Sequence, residues 1–265
     1  YLKAVKDGYG AEVVETDLKS GDALKAINKW VYDKTDGMIP AIYDDPPGGV
    51  AVLINAIYFN GGWMDEFDPA HTVDEAFTLA DGSTRKVPMM KREGQYSYKE
   101  GESWQAIRIP YGDGRMHMLV ILPKVSSSMN ELHQLLWKDT SVWKDDYSFE
   151  TVRLDLPQFK LEQSFELPDA LRGLGMVKAF DGGEADFSNM AEEGDGFWID
   201  HVQHKIIVDV SEKGTKAAAV TAVGITESAE PPAQPVVMKI NRPFFFAIED
   251  RDTGTWLFMG SVLRP

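Results

Sequence analysis

Residues 212–224 read EKGTKAAAVTAVG, and every side chain after Lys216 in this stretch is small. A packed core gains little from Ala and Gly, while Val, Thr and Gly are poor helix formers. In a strand, successive side chains point to opposite faces, so Thr215 and every second residue after it would share one face. This set is small enough to enter between two existing strands, and Gly214 can serve as a hinge. The stretch therefore predicts a segment that exists both as an exposed loop and as a strand inside a sheet.

Composition and charge exclude several classes of partner. The 265-residue chain is 43% hydrophobic and 26% charged, which is ordinary for a globular domain. Its formal net charge of −15 argues against nucleic-acid and membrane partners, because both favour basic surface. The chain has no run of 18 or more apolar residues. It has no cysteine, which excludes disulfides, thiolate metal sites and a cysteine nucleophile.

Hydrophobic patterns predict interspersed helices and strands, which favours an α+β fold. Residues 50–59, VAVLINAIYF, are apolar almost throughout, so we expect a strand covered on both faces with a buried, hydrogen-bonded Asn55. DRDTG at 250–254 lies between two apolar runs and predicts a closing hairpin. Helices are predicted over residues 21–37 (with Asp22 as the cap), 129–137 and 165–174. Further strands are predicted over residues 84–91, 104–110, 116–122, 152–156 and 205–210.

No catalytic motif accompanies these patterns. The chain lacks GxSxG, GxxxxGK[ST] and a GxGxxG that follows a strand. His201 and His204 are three residues apart, which places them on opposite faces of a strand and argues against a shared metal. The acidic pairs lie in polar loops and are interpreted as solvated surface. We therefore expect neither an enzyme nor a bound metal or cofactor.

Five stretches across the chain resemble the signatures of serpins, the serine protease inhibitor superfamily, and they follow serpin order. They are LINAIYFNGGW (53–63), VPMMKR (87–92), HKIIVDVSEKGT (204–215), NRPFFFAI (241–248) and LFMGSV (257–262). The resemblance implies a serpin fold, with a large mixed central sheet, further sheets and surrounding helices. It implies a single domain over residues 1–265, comprising roughly the C-terminal two-thirds of a serpin. Separately, the absence of cysteine, the acidity and the lack of an N-glycosylation sequon suit a prokaryotic protein. The helices and the strand that open the fold would precede the region that matches Tyr1.

The resemblance also assigns a loop and a mechanism. Residues 212–237 correspond to the reactive-centre loop and residues 212–222 to its hinge. In the family a protease cuts the loop and forms an acyl-enzyme; the hinge then inserts into the central sheet and the protease stays trapped. The matched hinge residues are Glu212, Gly214, Thr215, Ala217, Ala218, Ala219, Val220, Thr221 and Ala222. The positions at which the central sheet opens are matched by Asn55, Trp63 and His204.

The reactive bond follows from family spacing. Seventeen residues counted from Glu212 place it at Ser228–Ala229, and a loop one residue shorter places it at Glu227–Ser228. Residues 217–238 contain no Lys, Arg or aromatic residue, so elastase-like or subtilisin-like targets are favoured over trypsin-like ones. A glutamate-preferring protease fits the second alternative.

Two functions remain open at this stage. An inhibitor acting as a suicide substrate is favoured, and the alternative is a non-inhibitory serpin that acts as a binding or chaperone-like protein. Non-inhibitory members tend to carry charged, bulky or proline residues in the hinge, whereas residues 217–224 contain none. We expect a monomer, apart from a missing N-terminal piece, with a protease as its partner and an extracellular location.

Overall fold

The computed structural model describes residues 2–144, 146–188, 196–215 and 234–265. The chain forms two compact units. The first unit comprises residues 1–58 and 162–207, and the second comprises residues 59–161 and 208–265. Each is built from strands and a few helices.

Helices and strands are interspersed along the chain, as predicted. The helices are α1 (Leu2–Tyr9), α2 (Gly21–Lys34), α3 (Met129–Lys138) and α4 (Pro168–Gly173), with short 3-10 helices at Pro69–His71, Thr140–Trp143 and Lys178–Phe180. The strands are β1 (Val52–Tyr58), β2 (Gly61–Gly62), β3 (Val73–Thr78), β4 (Thr84–Glu100), β5 (Trp104–Tyr111), β6 (Met116–Pro123), β7 (Ser148–Pro157), β8 (Phe159–Glu166), β9 (His201–Ser211), β10 (Gly214–Thr215), β11 (Val236–Lys239), β12 (Phe244–Asp250) and β13 (Thr255–Val262).

The first unit is organised around the parallel pair β1–β9. Seven residue pairs form this ladder, from Val52↔His201 to Tyr58↔Ile207. Strand β8 also pairs with β9. Helix α2 closes the core on one side, and Val31 packs with Ile39, Ile42 and Ile207. Burial of these aliphatic side chains is the main stabilising term in this unit.

Two local predictions for the first unit are wrong. Helix α2 is capped by Ser20, whose Oγ accepts a hydrogen bond from the backbone N of Ala23 at 3.1 Å. The predicted cap, Asp22, lies inside the first turn, where its negative charge favours the positive end of the helix. The helix predicted over 165–174 begins only at Pro168, because the preceding residues pair with β9 as strand β8.

The expectation of a strand covered on both faces is also wrong. Leu53 is 45% exposed and Asn55 is exposed, because no described element covers their face of β1. Ile54 and Ala56, on the other face, pack against the core around Val31. The apolar sequence of β1 is therefore buried on one face only.

The second unit contains an eight-stranded sheet. Its order is β11-β7-β4-β5-β6-β12-β13, with β3 paired to β4. The predicted hairpin β12–β13 is confirmed, with β12 between β13 and β6. Strand β7 buries Val152, Leu154 and Leu156, as their alternation predicted.

Helix α3 packs on this sheet. A capping box starts it: the Ser128 hydroxyl accepts from the backbone N of Glu131, and the Glu131 carboxylate accepts from the backbone N of Ser128. Its Leu132 and Leu136 are buried in the same cluster as Trp143 and side chains from β5, β6 and β12. This core includes Trp104 and Ala106 at the start of β5, whose other end carries part of the site described below.

His117 on β6 predicts a measurable pH dependence. Burial, followed by the positive charges of Arg108 and Arg251, lowers the pKa of His117 from 6.5 to about 4. The folded protein therefore keeps His117 neutral through a range in which the unfolded chain takes up a proton. We expect the free energy of unfolding to fall as the pH is lowered from about 6.5 to about 4.

Denaturant unfolding at a series of pH values measures this effect. His117→Gln should flatten the decline, whereas His71→Gln, which changes an exposed histidine, should not. An unchanged pH profile for His117→Gln would contradict the assignment.

Candidate functional site

The described start of the predicted hinge, Glu212–Thr215, is called here the hinge origin. It lies in the second unit. After β9 ends at Ser211, a turn at Glu212–Lys213 reverses the chain, and β10 runs antiparallel to the end of β9. The opposite edge of β10 pairs with β2. The first two hinge residues after the turn, Gly214 and Thr215, are thus already a strand between two neighbours.

Gly214 occupies a position that only glycine fits. Its φ is +123°, a conformation that L side chains rarely adopt. A Cβ atom there would lie 2.3 Å from the carbonyl oxygen of Gly61 and 2.7 Å from both Gly62 Cα and Trp63 N. These contacts are with backbone atoms, which cannot rotate away as a side chain can. The strand pairing of β10 therefore requires glycine at this position.

Thr215 anchors the hinge origin in the core of the second unit. It is completely buried, and its hydroxyl lies 2.8 Å from the hydroxyl of Tyr111 at the end of β5. Burial raises the pKa of Tyr111, so the phenol stays protonated and available for this hydrogen bond. The Tyr111 ring stacks on Trp63 with centroids 4.3 Å apart. Thr215 is therefore linked through Tyr111 to this aromatic pair.

Trp63 is itself hydrogen-bonded to the end of β9 and to the turn at the start of the hinge. Its indole Nε1 donates to the carbonyl oxygen of Ser211 at 2.9 Å, and its backbone N donates to that of Lys213 at 3.1 Å. Trp63 is only 4% exposed. These contacts place Trp63 beside the hinge origin. Its role in opening the sheet stays a prediction.

Glu212 connects the turn to two other segments of the chain through hydrogen bonds. Its carboxylate Oε1 accepts hydrogen bonds from Thr72 Oγ1 and Gln158 Nε2, each at 2.7 Å. Its carbonyl oxygen accepts from the backbone N of Phe67 at 2.9 Å. The glutamate therefore fixes the hinge origin through one side-chain atom and one backbone atom.

Asn55 and His204 lie in the first unit as register partners on β1 and β9. No described hydrogen bond joins their side chains. His204 stacks on Phe165, with ring centroids 6.5 Å apart, and burial lowers its pKa, which favours the neutral imidazole. Asn55 and His204 are thus neighbours at the midpoint of the ladder, and their role in sheet opening stays a prediction.

The remaining predicted site residues lie outside the described residues. They are the hinge residues Ala217, Ala218, Ala219, Val220, Thr221 and Ala222, and the candidate reactive-bond residues Glu227, Ser228 and Ala229. Sequence reasoning missed Thr72, Tyr111 and Gln158, which contact the hinge origin from residues distant along the chain. No local pattern marks them, because these contacts form only when separate strands come together.

Within the described ranges, no cluster of three His, Asp or Glu side chains could hold a metal ion. Of the helices that the structure describes, none has the length and apolar character needed to span a membrane.

The sequence profile of the family Serpin (serine protease inhibitor) matches residues 1–265. An uncharacterized serpin-like protein of Thermococcus kodakarensis is 37% identical, covering 100% of this chain and 62% of its own length. Human antithrombin-III is 33% identical over 97% of this chain and 57% of its own, and the leukocyte elastase inhibitor of Xenopus laevis is 35% identical over 100% and 72%.

Solved structures agree with the sequence relatives. The thermophilic serpin tengpin in its native state has a TM-score of 0.85 and 35% identity, covering 98% of this chain and 67% of its own. Native protease nexin-1, solved with heparin, has a TM-score of 0.85 and 28% identity, covering 100% and 72%.

The chain belongs to the serpin family and has the α+β serpin fold. The archaeal relative agrees with the expectation of a prokaryotic type. The chain spans 62% of the length of the Thermococcus protein and 57% of that of antithrombin-III.

The close packing of backbone around Gly214 predicts that any side chain at this position greatly lowers the free energy of unfolding. We expect Gly214→Ala to lower the free energy of unfolding by more than about 3 kcal/mol, because it combines φ strain with overlap against backbone. Gly82 provides a matched control, since its φ is +82° but a Cβ would meet nothing within 4 Å. Gly82→Ala should lose only about 1 kcal/mol. Equal losses in denaturant unfolding would show that the close approach at Gly214 carries no cost.

Proposed function

We propose that this chain, as a single serpin domain over residues 1–265, inhibits a protease by acting as a suicide substrate. The protease cuts the loop at 212–237 and is acylated by it. The hinge at 212–222 then inserts as a strand before the acyl bond is hydrolysed. The observation that carries this proposal is the pairing of β10 with both β9 and β2, because it sets the first hinge residues on the path of an inserting strand.

The register of β10 determines where an inserted strand would end. Gly214 is opposite Ser211 and Thr215 is opposite Val210. Continuing this antiparallel register along β9 would bring Thr221 opposite His204 and Gly224 opposite His201, the first residue of β9. Residues up to Gly224 thus match the length of β9, and the small-residue segment ends at the same position.

Insertion requires that β1 separate from β9. In the described structure these strands pair directly over seven residue pairs, with Asn55 and His204 at the centre. An inserted strand replaces this one ladder with two, one to each neighbour. About ten additional backbone hydrogen bonds at roughly 1 kcal/mol net each give a gain on the order of 10 kcal/mol. That gain is comparable to the stability of a whole domain, and it would drive the trapping step.

The same register explains why the hinge side chains are small. Thr215 already lies buried against Tyr111. In a strand, the residues that share its face are Ala217, Ala219, Thr221 and Val223. None of these carries a charge or a large group that would have to be buried during insertion.

For the target, we propose an elastase-like or subtilisin-like serine protease. The reactive bond is Ser228–Ala229, or Glu227–Ser228 if the loop is one residue shorter. The support is the sequence of residues 217–238, which offers no basic or aromatic side chain to a specificity pocket.

Thr221→Arg tests the insertion mechanism. Thr221 shares the strand face of Thr215, so insertion would bury the charge, and the loop should be cut without trapping the protease. Thr221→Val is the control, because it has a similar size and adds no charge; it should still trap. Full-length protein is mixed with elastase-type and subtilisin-type proteases, and complexes are counted on denaturing gels.

Trapping by Thr221→Arg at the stoichiometry of the unmodified protein would overturn the hinge account. Cleavage of the unmodified protein by all these proteases without a stable complex would favour a non-inhibitory serpin. Mass spectrometry of the released C-terminal peptide identifies the bond that is cut.

A further inference from the structure

The connection between β1 and β2 contains an exposed asparagine followed by a glycine, and we propose that Asn60 is a deamidation site that β10 protects. Asn60 is the only asparagine of the chain that precedes a glycine. It is exposed and lies between the two strands, after Tyr58 and before Gly61. Within the described residues, no hydrogen bond holds its side chain. The amide group can therefore turn toward the backbone of the next residue.

The reaction at this site needs only water. The backbone N of Gly61 loses its proton and bonds to Cγ of Asn60, whose amide nitrogen leaves as ammonia. Water then opens the resulting cyclic imide at either carbonyl group, which gives aspartate or isoaspartate. Glycine at the second position favours ring closure, because its backbone is the least restricted of any residue and no Cβ shields the nucleophile.

Packing of the Phe59 ring favours glycine at position 61. A Cβ there would lie 2.8 Å from Cε1 and Cζ of Phe59 and 3.4 Å from Cδ1 of Tyr111. The two rings meet edge to face, with centroids 4.8 Å apart. A larger residue at 61 would have to displace the Phe59 ring from this contact. The same packing that requires glycine therefore retains the reactive dipeptide Asn60–Gly61.

Strand β10 restrains the nucleophile of the reaction. Thr215 lies opposite Gly61 in the antiparallel pairing of β10 with β2. Directly hydrogen-bonded pairs alternate along such a ladder, and Trp63 N donates to the carbonyl oxygen of Lys213 at 3.1 Å. The pair two residues along, Gly61 and Thr215, is therefore directly bonded as well. Ring closure at Asn60 thus requires β10 to separate from β2.

This separation is a local event that Tyr111 opposes. The ladder has only two residue pairs, Gly214↔Gly62 and Thr215↔Gly61, and short pairings open at a lower free energy than the whole domain. The Tyr111 hydroxyl lies 2.8 Å from that of Thr215 on β10. The next residue, Gly112, donates its backbone N to Gly62 of β2 at 2.8 Å. The end of β5 therefore holds β10 and β2 together.

Deamidation would make the separation irreversible. Isoaspartate adds a methylene group to the main chain directly before β2 and so displaces Gly61 relative to Thr215. The space at this point is small, since a Cβ at Gly214 would lie 2.3 Å from the carbonyl oxygen of Gly61. The modified chain would therefore lose the pairing of β2 with β10. This inference stands independently of protease inhibition.

Peptide mass spectrometry measures the rate of deamidation at Asn60 in the full-length protein. Asn130 is the internal control, because it is also exposed but is followed by Glu131. In denaturant, Asn60 should react much faster than Asn130. In the folded protein, the rate at Asn60 should be at least about tenfold lower than in denaturant. Equal rates at the two asparagines in denaturant, or equal rates at Asn60 in both conditions, would overturn the proposal.

Tyr111→Phe tests whether β10 controls the reaction. It removes the hydrogen bond to Thr215 and keeps the ring, so the rate at Asn60 in the folded protein should rise about fivefold. Tyr98→Phe is the control, since it removes a hydroxyl that accepts from Gln105 in the same unit. This control should change the rate by less than about twofold. Equal increases in both variants would show that Asn60 reacts through a general loss of stability, and would contradict protection by β10.

The isoaspartyl product tests the consequence of the modification. Its added negative charge allows anion exchange to separate it from the unmodified protein. Its thermal unfolding midpoint should be lower than that of Asn60→Asp, which carries the same charge without the extra methylene group. Equal midpoints would contradict the loss of pairing between β2 and β10.

Discussion

The hinge origin depends on the close contact between Gly214 and the backbone of β2. With a φ of +123° and no Cβ, this residue lets the chain turn back from β9 and pair on both edges. The contacts that fix its neighbours follow from that placement: Thr215 is hydrogen-bonded to Tyr111, whose ring stacks on Trp63, and the Glu212 carboxylate accepts from two side chains. A larger residue at 214 would push β10 out of the sheet, and the first step of strand insertion would lose its template.

The proposed mechanism requires two opposite properties in one sheet. At the hinge origin β10 already lies between β9 and β2, as an inserted strand would under this proposal, whereas β1 and β9 are directly paired around Asn55 and His204. Insertion would therefore form backbone hydrogen bonds that the direct β1–β9 ladder does not provide. Loop cleavage would remove the constraint that prevents insertion. Small side chains lower the barrier to insertion of the hinge between β1 and β9. The hydrogen bonds of the two new ladders supply the free energy that drives insertion.

Sequence patterns predicted most strands of the second unit, because alternation at Val152, Leu154 and Leu156 and the hairpin at 250–254 are local signals. Sequence patterns failed where pairing or packing with distant segments determines the local structure. Residues 159–166 became strand β8 through pairing with β9, and Asn55 is exposed because its face of β1 is uncovered. The hinge was predicted from its small residues and from the family resemblance. Tyr111, Thr72 and Gln158 were not, because hydrogen bonds between distant strands leave no local trace in sequence.

The register of the inserted strand is the most direct test, and the absence of cysteine from the chain makes it practicable. Thr221→Cys combined with His204→Cys should form a disulfide under mild oxidation after the loop is cut, because the two residues would then lie opposite each other. Little should form in intact protein. Thr221→Cys with Lys205→Cys is the control, since position 205 faces the other side of the sheet. Cross-linking of the first pair only after cleavage supports insertion along β9; no cross-link, or an equal yield from both pairs, would contradict it.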